Sequence, residues 1–176
     1  MVEQINKEHK EKIMERIRKA GDPENYEISW NEQGLPESKS KINIKRGGLS
    51  RGQGARFELK VRKDLEKKGK IVDKWTNNVD LEKGKLIIAR KYNPFKKMFA
   101  LGAGFPDFIA IQPVHDELYR VMGVEVKMNG ILSKEEKEKC LWYLQKGIFP
   151  NLWIAKKGKR RGEIEYVDFK EKYGIK

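Results

Sequence analysis

The residues of this chain best suited to chemistry are two carboxylates and a lysine on either side of one turn. Asp107 follows the segment Gly104-Phe105-Pro106 and enters an apolar run, and Glu125 and Lys127 lie in the next apolar run, beyond QPVHDE. If the two runs form a hairpin centred near Asp116, Asp107 lies nine residues before the centre and Glu125 nine residues after it. The carboxylates then face each other across antiparallel strands, with Cβ atoms about 5 Å apart.

The alternation of side chains along a strand puts Lys127 on the same face as this pair. Glu125 and Lys127 share one face with Asp107, while Val124 and Val126 point to the opposite, buried face. Opposed carboxylates repel each other, and burying them costs several kcal/mol unless a cation compensates. We therefore predict a hard divalent cation, Mg²⁺ with Mn²⁺ as a substitute, held by Asp107, Glu125 and the carbonyl of Val126.

Such a metal centre is suited to the hydrolysis of phosphodiesters. The metal would accept a phosphate oxygen, and Lys127 could orient or help deprotonate the attacking water and stabilise the developing negative charge. In the alternative interpretation, Asp107 is a turn carboxylate after Pro106. Glu125 and Lys127 are then ordinary solvated residues of an edge strand that pair with each other.

The segments Gly104-x-Pro-Asp107 and Glu125-x-Lys127 resemble the signature of the PD-(D/E)XK nucleases, over roughly residues 50 to 157. This resemblance implies an α/β (α+β) fold with a restriction-endonuclease-like core, in which helices flank a central mixed β-sheet. It also implies Glu58, Asp107 and Glu125 as metal ligands and Lys127 as the catalytic lysine. Glu58 either faces the site, which we favour, or lies in solvent beside Arg62, four residues further on.

Two segments resemble different branches of that superfamily. RGQGARFE with the basic helix after it resembles archaeal Holliday-junction resolvases, whereas KMNGILSKEEKEKCLWYLQKG resembles the helix after the lysine in VRR-NUC-type nucleases. Those nucleases usually have Gln where this chain has Glu136, and a capping box with Ser133 accounts for Glu136 structurally. We therefore assign no function to Glu136.

The function expected from these residues is a Mg²⁺-dependent endodeoxyribonuclease that acts on Holliday junctions or other branched DNA in recombination or repair. A restriction-like endonuclease is an alternative, and so is a non-catalytic nucleic-acid-binding module on the same fold. A homodimer is expected by analogy, because a domain with a single site often pairs to cut two strands.

The charge of the chain favours a polyanionic partner. Its 39 Lys and Arg residues exceed its 26 Asp and Glu residues, for a net charge of +13, and nucleic acid is the natural partner of such a surface. The predicted phosphate contacts are Arg51, Arg56, Lys60, Arg90, Lys91, Lys96, Lys97, Lys156, Lys157, Arg160 and Arg161, with Lys45, Arg46 and Lys159 in the same clusters. Among them, Tyr92, Phe95 and Phe99 could stack on bases, although aromatic residues at such spacing more often belong to a core.

The surrounding pattern predicts the elements that position these residues. Residues 1–48 are expected to form a helix and an extended arm that contains Trp30, and residues 49–176 a nuclease domain. A helix after Ser50 carries Phe57, Val61 and Leu65 at i, i+4 and i+8 and ends at Gly69. A second helix begins at the Ser133 capping box and ends at Gly147. Strands are predicted for IVDKWT, KLIIARKY, FPDFIAIQ, LYRVMGVEVKM, NLWIAKK and EIEYVDF.

Several classes of protein are not expected. Cys140 is the single cysteine, so that no intramolecular disulfide can form, and the charged N-terminus lacks the apolar segment of a signal peptide. No apolar run reaches the roughly 18 residues of a membrane span. LGAGFP lacks the full dinucleotide-binding glycine pattern and a P-loop lysine, so we expect no nucleotide cofactor. We expect an intracellular protein that is cytoplasmic, nucleoid-associated or viral.

Overall fold

A computed structural model describes residues 7–31, 34, 36–93, 97–102 and 104–175. Over these residues the architecture is α+β. The helices are α1 (Lys7–Ala20), α2 (Lys41–Lys67), α3 (Lys134–Gln145) and α4 (Phe169–Tyr173). The strands are β1 (Tyr26–Trp30), β2 (Pro36–Ser40), β3 (Ile71–Lys74), β4 (Asn77–Asp80), β5 (Lys85–Ile88), β6 (Arg90–Asn93), β7 (Met98–Leu101), β8 (Phe108–His115), β9 (Leu118–Val126), β10 (Asn151–Lys157) and β11 (Ile164–Asp168). None of the described helices combines the length and the apolar character needed to cross a membrane.

The chain divides into two compact units, Met1–Gln53 and Gly54–Lys176. In the first unit, α1 lies against the antiparallel β1–β2 hairpin. The sequence predicts an extended arm over residues 21–48, whereas the structure has this hairpin and then α2, which begins at Lys41 instead of near Ser50. Four glycines lie inside α2: Gly47, Gly48, Gly52 and Gly54. Each weakens a helix by about 1 kcal/mol relative to alanine. Because extending an existing helix is easier than nucleating one, the helix continues through them.

The second unit contains a five-stranded mixed sheet in the order β11-β10-β9-β8-β3. Strands β9 and β10 are parallel, and the other neighbours are antiparallel. As predicted, Phe57, Val61 and Leu65 of α2 are buried, and they pack on one face of the sheet with residues such as Phe108 and Val124.

The other face of the sheet is covered by α3 and α4. Cys140 and Tyr143 of α3 and Phe169 of α4 are buried with Leu152 and Ile154 of β10. The sheet therefore has an apolar layer on each face, and β9 lies at its centre.

The predicted strand KLIIARKY is divided into β5 and β6. Strand β5 pairs with β4, and β6 pairs with β7, in two separate two-stranded sheets. The break falls at Ala89, whose N–H donates to the carbonyl of Thr76 at 2.9 Å and whose carbonyl accepts from the N–H of Gly102 at 2.8 Å. Ala89 is therefore hydrogen-bonded to two other segments, and the strand that pairs with this run changes there from β4 to β7. The hydrophobic pattern of the run contains no sign of this change.

Candidate functional site

The pairing of β8 with β9 determines the geometry of the candidate site. Phe108 pairs with Val124 and Ile109 with Gly123, and the same register carried back by one residue sets Asp107 opposite Glu125. The predicted register is therefore confirmed. The turn is shorter than predicted, because β8 extends to His115 and β9 begins at Leu118.

Main-chain hydrogen bonds cross between the two carboxylates. The N–H of Asp107 donates to Oε2 of Glu125 at 3.2 Å, and the N–H of Val126 donates to Oδ2 of Asp107 at 2.9 Å. Each carboxylate is thus held by the backbone of the opposite segment, which places the two acids together at the end of β9.

The burial of Glu125 contradicts one part of the alternative interpretation of the sequence. Glu125 is only 5% exposed, and β9 is flanked by β8 and β10. Glu125 does pair with Lys127, as the alternative interpretation predicts. Its prediction that Glu125 is solvated on an edge strand is wrong. Val124 is fully buried and Val126 packs beside it on the α2 face, so that Glu125 points to the face covered by α3.

A close approach of two backbones positions the segment that leads into Asp107. A Cβ on Gly104 would lie 2.2 Å from the carbonyl oxygen of Trp75, so only glycine fits. The N–H of the next residue, Phe105, donates to the carbonyl of Asn77 at 2.9 Å. The buried Tyr143 hydroxyl donates to the carbonyl of Phe105 at 2.7 Å, which fixes the segment from the α3 side.

Lys127 lies between two carboxylates. Its Nζ is 3.1 Å from Oε1 of Glu125 and 2.6 Å from Oε1 of Glu136. Glu136 also forms the predicted capping box, because its other oxygen accepts from the N–H of Ser133 at 2.8 Å. The contact between Glu136 and Lys127 was not predicted. The sequence did contain one indication of this contact. Glu136 lies only nine residues after Lys127, so the first turn of α3 has to lie near the end of β9.

Glu58 of α2 lies near the same end of the sheet. Its carboxylate is 3.7 Å from Nζ of Lys74, and its negative charge contributes to the raised pKa of Asp107. Arg62, the alternative partner on the helix, instead bonds Glu66 at 2.9 Å. Glu58 therefore faces Lys74 at the end of β3 and not Arg62, and its place among the metal ligands stays a prediction.

The electrostatics of the site resist ionisation of both central acids. Burial raises the pKa of Asp107, and the charge of Glu58 adds to this, although the N–H of Val126 acts in the opposite direction. Burial also raises the pKa of Glu125, and the neighbouring charge of Asp107 raises it further. Burial and the mutual repulsion of the two acids therefore both oppose ionisation of the pair.

The pKa of Lys127 is shifted so that the ammonium form is favoured. Burial alone would lower it, but the hydrogen bond to Glu136 and the charge of Glu125 outweigh burial and raise the pKa of Lys127. The same contact holds the pKa of Glu136 below its usual value, against the effect of burial. Lys127 consequently holds its proton and carries a positive charge, and a role as a base that deprotonates water is not favoured.

The donor set fits a hard divalent cation. Within the described residues, no group of three or more His, Cys, Asp or Glu side chains is arranged to hold a metal ion. Asp107 and Glu125 do supply two neighbouring carboxylates, and a bound cation would offset the repulsion between them. Oxygen donors of this kind are what Mg²⁺ prefers, with water completing the shell. Ligation by Glu58 and by the carbonyl of Val126 stays a prediction.

The predicted phosphate contacts fall into several groups. Lys60, Lys157, Arg160 and Arg161 line one cavity together with Lys159. Arg56 is exposed on α2, and Lys156 pairs with Glu165 at 3.0 Å. The remaining residues lie elsewhere: Arg90 and Lys91 are exposed on β6, Lys97 is exposed before β7, Lys45, Arg46 and Arg51 are exposed in the first unit, and Lys96 lies outside the described residues.

The aromatic residues of the β6–β7 hairpin do not belong to a core, contrary to the interpretation that their spacing favours. Tyr92 is 51% and Phe99 is 63% exposed, and their rings pack edge to face at 5.3 Å between centroids. Both side chains come from paired positions of the two strands. Phe95 lies outside the described residues.

Comparisons of this chain with models of protein families, with curated proteins and with solved structures find no match. The chemistry of the site therefore has to be argued from its own residues. The buried carboxylate of Glu125, the half-buried carboxylate of Asp107 opposite it and an ammonium beside Glu125 can hold a divalent cation and place a positive charge next to a bound phosphate. This combination is suited to the hydrolysis of phosphate esters.

Proposed function

We propose that this protein is a Mg²⁺-dependent endonuclease of the PD-(D/E)XK type that hydrolyses DNA phosphodiester bonds and is selective for branched DNA such as Holliday junctions. The observation that carries the proposal is the register of β8 and β9, which sets Asp107 opposite Glu125 with Lys127 two residues further on. A buried acid with a second, half-buried acid opposite it is costly in an ordinary sheet, whereas a metal-dependent hydrolase needs two neighbouring carboxylates.

The fold is compatible with a restriction-endonuclease-like core. A mixed sheet with helices on both faces carries the candidate residues on its central strand and at the start of the neighbouring one. Side chains on strands of a packed sheet are held more rigidly than side chains on loops, as a catalytic site requires.

Each residue of the site has a role that follows from its contacts. Asp107 and Glu125, held by the backbone bonds between their segments, would bind Mg²⁺, with Glu58 and the carbonyl of Val126 as further ligands. Bound there, Mg²⁺ would polarise the phosphodiester and lower the pKa of a coordinated water. Lys127 holds its proton and places a positive charge beside the phosphate. Glu136 fixes the position of Lys127 at 2.6 Å.

The choice of DNA as the substrate rests on charge and on sequence resemblance. A net charge of +13 favours a polyanion with many phosphates, and RGQGARFE with its basic helix is the segment that resembles junction resolvases. A homodimer, which would supply two sites for two strands, stays a prediction on the same basis.

The proposal is tested by cleavage of end-labelled DNA by the full chain. The substrates are a four-way junction, a flap, a single strand and a linear duplex of related sequence, each with Mg²⁺ and with EDTA. We expect Mg²⁺-dependent cutting of the branched substrates. In Asp107→Asn the rate should fall by about 10²-fold or more, because an essential electrostatic contribution to the transition state is lost.

The matched control is Asp116→Asn, which removes the same charge from the exposed turn of the same hairpin. It should cut at the wild-type rate. Cutting that survives Asp107→Asn would refute the assignment of the site, and cutting of linear duplex at a fixed sequence would favour a restriction-like enzyme. Binding of DNA without any Asp107-dependent cutting would point to a non-catalytic nucleic-acid-binding module.

A further inference from the structure

A cavity of about 490 Å³ lies between α2 and the turn that joins β10 to β11. Its lining is strongly cationic, with Lys60 from α2 and Lys157, Lys159, Arg160 and Arg161 from the end of β10 and the turn. Phe57 of α2, which is almost completely buried, contributes an apolar surface. Positive charges from two separate segments therefore converge on one concave surface.

In the part of the chain that the structure describes, none of these five cations is held by an acidic side chain, which sets them apart from Lys68 and Lys156 of the same unit. Among the described residues none of the five makes an ion pair, whereas Lys68 pairs with Asp64 at 2.7 Å and Lys156 with Glu165 at 3.0 Å. Glu163, which also lines the cavity, uses its carboxylate to accept from the N–H of Arg160 at 2.9 Å. Five cations and a single carboxylate therefore line the cavity, which leaves it with a clear excess of positive charge.

The turn has a defined shape that directs it toward α2. The N–H of Gly158 donates to the carbonyl of Glu163 at 3.0 Å, and the N–H of Glu163 donates to the carbonyl of Arg160 at 3.2 Å. Gly162 has a φ of 87°, which favours glycine, and a Cβ built on it would lie 4.0 Å from Nζ of Lys60. The cations are therefore presented by a closed turn against a helix.

The cavity lies at the same end of the sheet as the candidate metal site. Phe57 precedes Glu58 on α2, and the N–H of Lys157 donates to the carbonyl of Met128, the residue after Lys127, at 3.2 Å. Strands β9 and β10 are parallel, so that Lys127, which follows β9, and Lys157, the last residue of β10, lie at the same end of the sheet. A strand of nucleic acid bound at Asp107 would therefore lie at the end of the sheet that also carries the cavity.

We propose that this cavity binds backbone phosphates of the nucleic acid next to the scissile bond and so sets the path of the strand through the site. The inference rests on the proposed function for its choice of ligand. Cations held close together repel one another, and phosphate oxygens both relieve this repulsion and accept hydrogen bonds from lysine and arginine. Contacts of this kind carry no base sequence, which suits a substrate recognised by its shape.

The test is binding of a fluorescently labelled four-way junction and of a duplex in EDTA, measured by anisotropy over a series of salt concentrations. The variant Lys60→Gln/Arg161→Gln removes one cation from each side of the cavity. We expect at least tenfold weaker binding and a salt dependence, log K against log salt, that is shallower by roughly two, since each phosphate contact contributes about one. The control Lys85→Gln/Lys146→Gln removes two exposed cations outside the cavity and should bind within about twofold of the wild type.

The outcomes separate this inference from the proposed function. If the wild type binds and cuts DNA but the two double variants lose the same amount of affinity, the cavity is not the phosphate-binding site. The proposed nuclease function would then still stand. A protein that neither binds in EDTA nor cuts with Mg²⁺ would overturn both. The charge-conserving variant Lys60→Arg/Arg161→Lys should retain binding, and a loss there equal to that of the glutamine variant would show that charge in the cavity is not what binds.

Discussion

Two charged regions at the same end of the sheet are built in opposite ways. At the β8–β9 pair, Glu125 is buried and Lys127 is held between Glu125 and Glu136. At the turn between β10 and β11, Lys159, Arg160 and Arg161 are exposed, and no described acidic side chain pairs with them. The first region sets charges in a fixed geometry, whereas the second leaves them available to a ligand.

In the nuclease proposed above, the contrast would separate two tasks. Buried charges reduce stability unless they are compensated, so they are kept where geometry matters for chemistry. Exposed cations cost little and add affinity that depends on salt and not on sequence. Substitutions in the first region should therefore change the rate of the chemical step, and substitutions in the second should change binding.

The largest effect that would sharpen this contrast is expected from Lys127→Met. The substitution removes the ammonium beside the candidate phosphate site, and kcat should fall by about 10²–10³-fold. Affinity for DNA in EDTA should change by less than about twofold, because one partly buried cation contributes little to non-specific binding. Single-turnover cleavage and anisotropy on the same preparation measure the two quantities.

The control for this substitution is Lys134→Met, which removes an exposed lysine at the start of α3 and should leave both quantities unchanged. If Lys127→Met weakened binding tenfold and left kcat intact, Lys127 would belong with the exposed cations. The division of tasks between the two regions would then be wrong.

The second prediction concerns the stability of the metal-free protein. The pKa values of Asp107 and Glu125 are raised in the folded state, first by burial, so the folded protein binds these protons more tightly than the unfolded chain does. Their contribution to stability is full below the ordinary carboxyl value, 4.5 for a glutamic acid, and is lost as the pH rises through the raised values. The free energy of unfolding in EDTA should therefore fall as the pH rises above 4.5.

Urea unfolding over a pH series measures this effect. Glu125→Gln should flatten the pH dependence, whereas Glu117→Gln, at the exposed turn of the same hairpin, should leave it unchanged. Addition of Mg²⁺ should stabilise the wild type most at high pH, because the metal binds the ionised carboxylates. Parallel curves for wild type and Glu125→Gln would contradict a raised pKa of Glu125 in the folded state. This test does not require any catalytic activity.

The parts of this arrangement that depend on local periodicity could be predicted from the sequence. The register of β8 and β9 followed from counting outward from one turn, since side chains of a strand alternate with a period of two. The buried face of α2 followed from Phe57, Val61 and Leu65, and the start of α3 from Ser133 and Glu136. Each of these features is encoded by residues close together in the chain.

The features that could not be predicted depend on contacts between distant segments. The break at Ala89 is made by bonds to Thr76 and Gly102, and the burial of Glu125 follows from the central place of β9 in the sheet. The convergence of Lys60 with the turn after β10 depends on packing of α2 over the sheet. Sequence spacing indicated the candidate residues of the site but not which cations would meet in one cavity.

Glu136 makes a local contact that the sequence predicts, the cap of α3, and a contact with Lys127 that it does not. Paired substitutions can separate these two roles. Of the three predictions made here, this one has the smallest expected effect. Glu136→Ala removes both the capping contact and the contact with Lys127, so kcat should fall about tenfold, as expected when a supporting partner of a catalytic group is lost. Ser133→Ala removes the serine cap alone and should lower the free energy of unfolding by about 1 kcal/mol with kcat unchanged. Glu136→Gln, which keeps an oxygen acceptor for Lys127, should recover part of the rate. Equal kcat in Glu136→Ala and Ser133→Ala, measured at saturating DNA, would mean that Glu136 only caps α3 and that the position of Lys127 is set by Glu125.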